Sequence, residues 1–193
     1  MSVAAATNAL ISVADVKYVW GREQADTTDD DRIQTLINLI SGRIAEWCDR
    51  IFITGTYTAE LYDGTGTEAL VLRQRPVSTV TAIIVDGVAA TVAEIAAFNT
   101  AGAAYKIDYP AGIIYKILDW SKGKRNISVT YAAGYASADI PPGLKEVCAE
   151  WVILLLEGRM KDADTQGRDV AAVDQMPARF SSALSRYRRP QLA

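Results

Sequence analysis

An α+β fold is predicted by three features of the sequence: two amphipathic helical patterns at the start, a β texture from Phe52 to Tyr135, and an apolar helix opened by Pro141 and Pro142. The arrangement expected is a small helical bundle with an inserted antiparallel β domain, sandwich or barrel, and an extended C-terminal arm. Its parts are the N-terminal helices of the helical core (1–51), the inserted β domain (52–136), the central helix of the core (137–160) and a basic arm (161–193). A chain of 193 residues that is half hydrophobic and 22% charged is long enough to bury a sizeable core.

The first helix is read in SVADVKYVW, with Val13, Val16, Val19 and Trp20 inward, a Ser12/Asp15 capping box at its start and Gly21 at its end. The second follows TTDDD. Ile33, Leu36, Ile37, Ile40, Ile44, Trp47, Cys48 and Ile51 recur at helical spacing, and Thr28 with Asp31 resembles a capping box. Capping explains the acidic run without a metal, because the run lacks the alternating ligands and glycine of a calcium loop.

Between residues 52 and 136 the period falls to two. Hairpins are expected at YDGTGT (Thr56–Tyr62 with Glu68–Arg73), at Asp86-Gly87 (Val80–Val85 with Val88–Val92) and at Pro110-Ala111-Gly112 (Tyr105–Tyr109 with Ile113–Leu118). A further strand covers Ile127–Tyr131, and the alanine-rich Ala93–Ala104 suits a strand or a helical turn. Helical spacing then returns, beginning near Pro142, a residue whose fixed φ suits a first helical turn. The apolar run Trp151–Leu156 covers every face, so this helix is expected at the centre of the bundle, packed on the Ile33–Ile51 stripe.

Several chemistries find no support in the residues. With no histidine, the common zinc sets, the Ser-His-Asp triad and the Cys-His dyad are excluded. Cys48 and Cys148 lie in helical patterns and read as buried thiols rather than as a disulfide or a metal site. Gly64 and Gly66 lack the following Lys-Ser/Thr and helix of a phosphate loop. Carboxylate pairs such as Asp108 with Asp119 or Glu60 with Asp63 are what a glycosidase needs, but 23 acidic residues make such pairs common by chance. Tyr105, Tyr109, Tyr115, Trp120, Tyr131 and Tyr135 could stack bases or sugars, but the basic residues beside them are few, Lys116 and the Lys122, Lys124 and Arg125 of a basic turn over Trp120–Arg125. No catalytic residue, metal ligand or cofactor is expected. The longest apolar run near the C-terminus is far shorter than the ~20 residues that span a bilayer, and the N-terminal stretch lacks the basic start of a secretory signal, so synthesis in the cytoplasm and no membrane are expected.

Charge is uneven along the chain. Residues 175–193 hold four arginines and no acid, a local +4 on a chain of net charge −3, which leaves −7 for the rest. Arg179, Arg186, Arg188 and Arg189, together with Phe180 and Tyr187, are therefore the candidate partner-docking residues.

Taken in order, the acidic TxDD opening, YDGTG, RPVSTVTAIIVDG, WxxGKRNISVTYAAGY and IPPGLKEVCAEWVILLLEGR resemble the head-tail connector (adaptor) proteins of long-tailed double-stranded DNA bacteriophages. The resemblance spans residues 10–160 and carries over segments rather than single functional residues; 161–193 contains no matching motif. It implies a virion structural protein, not an enzyme. The expected assembly is a twelve-fold homo-oligomeric ring below the portal protein, built in the bacterial host cytoplasm and resident in the virion neck. Head-completion (stopper) or tail proteins would lie on its other side, and double-stranded DNA would pass through without sequence-specific binding. The alternatives are another neck or tail-completion protein, a carbohydrate-binding or hydrolytic β module, and a sequence-independent DNA binder.

Overall fold

The computed structural model describes residues 3–90, 105–116, 118–162, 176 and 178–188. The chain divides into two compact units, Met1–Ile53 with Ala136–Ala193, and Thr54–Tyr135. The first is helical and the second is β.

In the helical unit, α1 (Val13–Trp20) is opened by the Ser12/Asp15 capping box and closed by Gly21 in the left-handed region, as the sequence predicts. Its inward face differs. Lys17 is buried and Val19 is exposed, because the Lys17 ammonium finds Asp30 Oδ1 at 2.5 Å and the carbonyls of Asp26 (2.5 Å) and Gln24 (3.4 Å). A buried cation is tolerable when it is paired and hydrogen-bonded in this way.

Helix α2 (Asp30–Cys48) buries Ile33, Leu36, Ile37, Ile40, Ile44 and Cys48. Two expectations fail here. The N-cap is Asp29 rather than Thr28, with no side-chain capping bond, since Asp31 Oδ1 instead accepts the Val3 N–H at 2.8 Å. Ile51 lies beyond the helix and is exposed, because the chain leaves α2 at Asp49 in a left-handed turn. A row of polar side chains on α2 holds the N-terminal segment. Asn38 exchanges bonds with Ala6 N–H (2.9 Å) and Ala4 O (3.0 Å), and Ser41 Oγ accepts the Leu10 N–H at 3.1 Å.

Helix α3 (Pro142–Asp162) starts at the second proline and buries Leu144, Val147, Cys148, Ala149, Trp151, Val152, Leu155 and Leu156. It packs on α2, where Ser41 Oγ and Cys148 Sγ meet at 3.8 Å. Both cysteines remain thiols. Burial raises the Cys48 thiol to about 11, outweighing the pull of Arg50 and Arg188, and burial raises Cys148 to about 12 despite the Ser41 hydrogen bond.

The expected extended arm is replaced over residues 178–188 by helix α4 (Ala178–Leu184) and a short 3-10 turn (Ser185–Tyr187). Phe180 and Leu184 stand one turn apart, and burying both on the core favours a helix over an extended strand.

The β unit holds β1 (Gly55–Gly64), β2 (Ala69–Val71), β3 (Val77–Val85), β4 (Val88–Ala90), β5 (Tyr105–Asp108), β6 (Ile113–Lys116) and β7 (Gly123–Ala133). A four-stranded sheet runs β1-β7-β3-β4 and a three-stranded sheet runs β2-β6-β5. Ile83, Ile127, Val129 and Tyr131 of the first and Leu70, Ile107 and Ile114 of the second share one core, which makes a sandwich and not a closed barrel. The Asp86-Gly87 hairpin forms, with φ of 51° and 81° at its two turn residues, and β5 pairs with β6 through the Pro110 turn. The YDGTGT hairpin does not form. β1 pairs with β7 and β2 with β6, so the segment 65–68 crosses between sheets instead of turning within one. Ala93–Ala104 lies outside the described residues.

That crossing explains the two glycines better than a phosphate would. A Cβ on Gly64 would sit 1.8 Å from the Ser121 carbonyl oxygen, so the backbones of two loops meet there. Asn126 joins the same loops. Its amide accepts the Gly64 N–H (2.9 Å) and donates to Ser121 O (3.0 Å) and Asp86 Oδ1 (3.1 Å).

The supposed aromatic platform is largely interior. Tyr105, Trp120 and Tyr131 are buried in the core, with Tyr105 stacked on Trp120 at 5.4 Å and the Trp120 N–H donated to Glu68 O at 3.0 Å. A base or sugar has no access to those three rings.

Candidate docking surface

The candidate arginines lie on the segment that closes the helical unit. Phe180, between them, faces inward and stacks on Trp151 at 5.7 Å and 30°. Tyr187, half-buried, sets its ring edge-on to Phe52 at 6.4 Å, and its carbonyl accepts a bond from Arg50 Nη1 at 3.3 Å. The first turn of α3 must be narrow here. A Cβ on Gly143 would lie 2.5 Å from Arg186 Nη2 and 3.1 Å from the Tyr187 hydroxyl.

Arg179, Arg186 and Arg188 are exposed, and each guanidinium lies over a ring: Arg179 over Phe180 (4.5 Å), Arg186 over Tyr187 (4.8 Å) and Arg188 over Trp47 (5.3 Å). Each such contact is worth about 0.5–1 kcal/mol at an exposed site, enough to bias a long side chain toward one orientation. The segment thus carries three oriented cations, Arg179 on α4, Arg186 in the 3-10 turn and Arg188 just after it. Arg189 lies outside the described residues. Of the six sequence-predicted docking residues, Phe180 contributes to the core; Arg179, Arg186, Arg188 and Tyr187 stand at the surface or its edge.

Sequence reasoning missed the groups that hold this segment. Trp47, Arg50, Phe52, Gly143 and Trp151 come from α2, the turn after it, and α3. The spacing of Phe180, Leu184 and Tyr187 was the available signal, at four and three residues. Beside the segment, Arg43, Glu46, Trp47, Trp151 and Met176 bound an open cleft of about 320 Å³. The indole N–H of Trp151 is buried and has no hydrogen-bond acceptor among the described residues.

A second cluster of titratable groups lies inside the β unit. Ala59 at φ 51° marks a bulge in β1, after which Glu60 meets both tyrosines of the core. Tyr131 donates to Glu60 Oε2 at 2.6 Å, Tyr62 donates to the same oxygen, and Arg73 Nη1 lies 3.0 Å from Oε1. Burial pushes the Glu60 carboxyl up, but the bonds from Tyr131, Tyr62 and Arg73 together outweigh it and hold the group below its ordinary value. Burial and the adjacent carboxylate push both tyrosines up. The arrangement is a satisfied polar network. Glu60 is thereby spent on structure, and Asp108 likewise closes its turn by accepting the Ala111 N–H at 3.0 Å. Among the described residues no group of three or more histidine, cysteine or acidic side chains could hold a metal ion, and no helix is long and apolar enough to cross a membrane.

Comparison with known proteins decides the family. The sequence matches the head completion protein family over residues 9–189, including the C-terminal segment in which no motif was read from the sequence. The chain belongs to the head completion protein family. The resemblance to head-tail connectors is thereby sustained, and the family is one of virion structural proteins. No curated protein sequence matches this head completion protein. Its fold is shared by a chain from the neck of an empty gene transfer agent particle computed with C6 symmetry, with a TM-score of 0.58 and 18% identity, covering 100% of this chain and 96% of the other. A chain from the neck of the native particle, computed with C12 symmetry, gives 0.51 and 17% over 100% and 96%. One from the virion of the native particle gives 0.50 and 18% over 99% and 95%.

Proposed function

We propose that this head completion protein is a head-tail connector: a structural subunit of the virion neck that forms a ring below the portal and joins the DNA-filled capsid to the tail. The observation that carries the reading is the family match over residues 9–189, supported by a fold held in common with neck chains of particles computed with sixfold and twelvefold symmetry.

In this reading twelve copies close a ring, the portal protein lies on one side, and a stopper or tail protein lies on the other. Double-stranded DNA passes through without sequence-specific contacts, and no catalysis, cofactor or membrane is involved. Assembly takes place in the host cytoplasm. A ring subunit needs two lateral faces and two axial ones, each burying about 800 Å² per partner for a specific contact. Arg179, Arg186, Arg188 and Tyr187 supply one axial face, and Phe180 fixes it to the helical core from beneath. Charge-complementary docking of this kind sets orientation and association rate.

Removing the gene is the direct test. Filled heads and complete tails should accumulate unjoined, and adding the purified protein back should join them. Joined, infectious particles in its absence would overturn the proposal.

A further inference from the structure

We infer that neighbouring copies in the ring join through two uncharged surfaces, residues 3–7 of one copy lying on the open face of strands β3 and β7 of the next. This rests on the ring reading above, and adds the residues that make its lateral contact.

The four-stranded sheet has a core side and an open side. Ile83, Ile127, Val129 and Tyr131 point into the core, and the register sets the alternate side chains on the other face: Ile84 opposite Ser128, Ala82 opposite Thr130 and Thr79 opposite Ala132. These six are exposed or half-buried, and none is charged. Charges appear only beyond them, in Asp86, Lys124 and Arg125 at the end of the sheet joined by Asn126. The open face of an antiparallel sheet is ordinarily solvated and polar, so an uncharged one suits a partner better than water. Three hydroxyls of these strands are already spent. Thr130 Oγ accepts the Ala59 N–H at 3.0 Å, while Ser78 and Thr81 donate to the Ala132 and Thr130 carbonyls at 3.2 and 3.1 Å. Polar atoms paired in advance lower the cost of drying the face.

The second surface has the same chemistry. Residues 3–12, VAAATNALIS, carry no charge in a chain that is 22% charged. Their backbone is held on α2 through the Val3 N–H on Asp31, the Ala6 N–H and Ala4 carbonyl on Asn38, and the Leu10 N–H on Ser41. Fixing the segment by its backbone leaves the side chains of Val3, Ala4, Ala5 and Thr7 exposed, Val3 at 40%. In a single copy both surfaces are therefore open to water. A charged partner would lose hydration against either one and gain no counter-charge. Small uncharged side chains on both sides instead let two backbones approach closely, and the next copy supplies them. Because the two surfaces differ, the contact is heterologous, and it closes into a ring when the rotation between copies allows.

Photocrosslinking in rings assembled on the portal tests this. With p-benzoylphenylalanine in place of the exposed Ala5, in rings mixed from isotope-labelled and unlabelled copies, ultraviolet light should join position 5 to a peptide from β3 or β7 of a different copy. Thr79→Glu should leave the circular dichroism of the monomer unchanged and its melting temperature within a few degrees, yet lower ring yield roughly tenfold or more, because a charge buried in that contact finds no partner. Thr79→Ser, which adds no charge, should assemble as the parent does. If rings form but the crosslink reaches the same copy, another part of the chain or another polypeptide, or if Thr79→Glu assembles normally, this inference is wrong and the ring reading stands. If the unaltered protein forms no ring, the ring reading fails and takes this contact with it.

Discussion

Tyr131 on β7 donates a 2.6 Å hydrogen bond to Glu60 on β1, at the place where the Ala59 bulge offsets the two strands. The bond matters because β7 is an interior strand of its sheet, paired with β1 on one side and β3 on the other. With Tyr62 and Arg73 it ties the bulged strand to the segment that crosses toward β3.

A pH dependence follows from that network. The folded-state carboxyl of Glu60 sits below its ordinary value of 4.5, so the unfolded chain takes up the proton first as the solution is acidified. Stability from this group is therefore complete above pH 4.5 and drains away as the pH falls through the lower folded value. Glu60→Gln should flatten that acid limb of the stability curve. Tyr131→Phe, which keeps the ring and removes the donor, should cost about 1–3 kcal/mol at neutral pH. Denaturant titrations between pH 3 and 7 measure both.

The two close-packed loops give a sharper contrast between glycines. Gly64→Ala would drive a Cβ into the Ser121 carbonyl, whereas a Cβ on Gly42, within α2, meets nothing within 4 Å. Gly64→Ala should lower the melting temperature strongly or prevent folding of the β unit. Gly42→Ala should stabilise by about 0.5–1 kcal/mol, since alanine costs less entropy in a helix. Thermal melts of the two variants side by side decide the matter.

Phe180 separates anchoring from docking. Phe180→Ala removes a buried ring from Trp151 and should destabilise the helical unit by about 3–5 kcal/mol, with a change in tryptophan emission. Reversing Arg179, Arg186 and Arg188 to glutamate should leave the melting temperature within a few degrees of the parent while abolishing association with the portal. Deleting residues 176–193 would confound the two effects, because it takes Phe180 and Leu184 from the core.

These elements also mark how far sequence carries. The periodicities of Ile33–Ile44, Leu144–Leu156 and Ile127–Tyr131 are strong because each buries a continuous face, and all three appear in the structure as helix, helix and strand. Asp86-Gly87 forced its own turn through positive φ. The pairing of β1 with β7 was not legible, since partners about seventy residues apart leave no local signal, and a glycine-rich loop suits a crossing as well as a hairpin. Lys17 was not among the residues read as inward, because a lysine is buried only where, as here, its ammonium finds buried acceptors. At the candidate docking surface the arginines stood out by charge. Their supports did not, because Trp47, Gly143 and Trp151 meet the C-terminal segment only after α2 and α3 have packed.

Electron microscopy of the purified protein mixed with its portal tests the central claim most directly. A closed twelve-fold ring seated on the lower end of the portal is the predicted result. A portal left bare at saturating protein, or decorated elsewhere by scattered single copies, would contradict it.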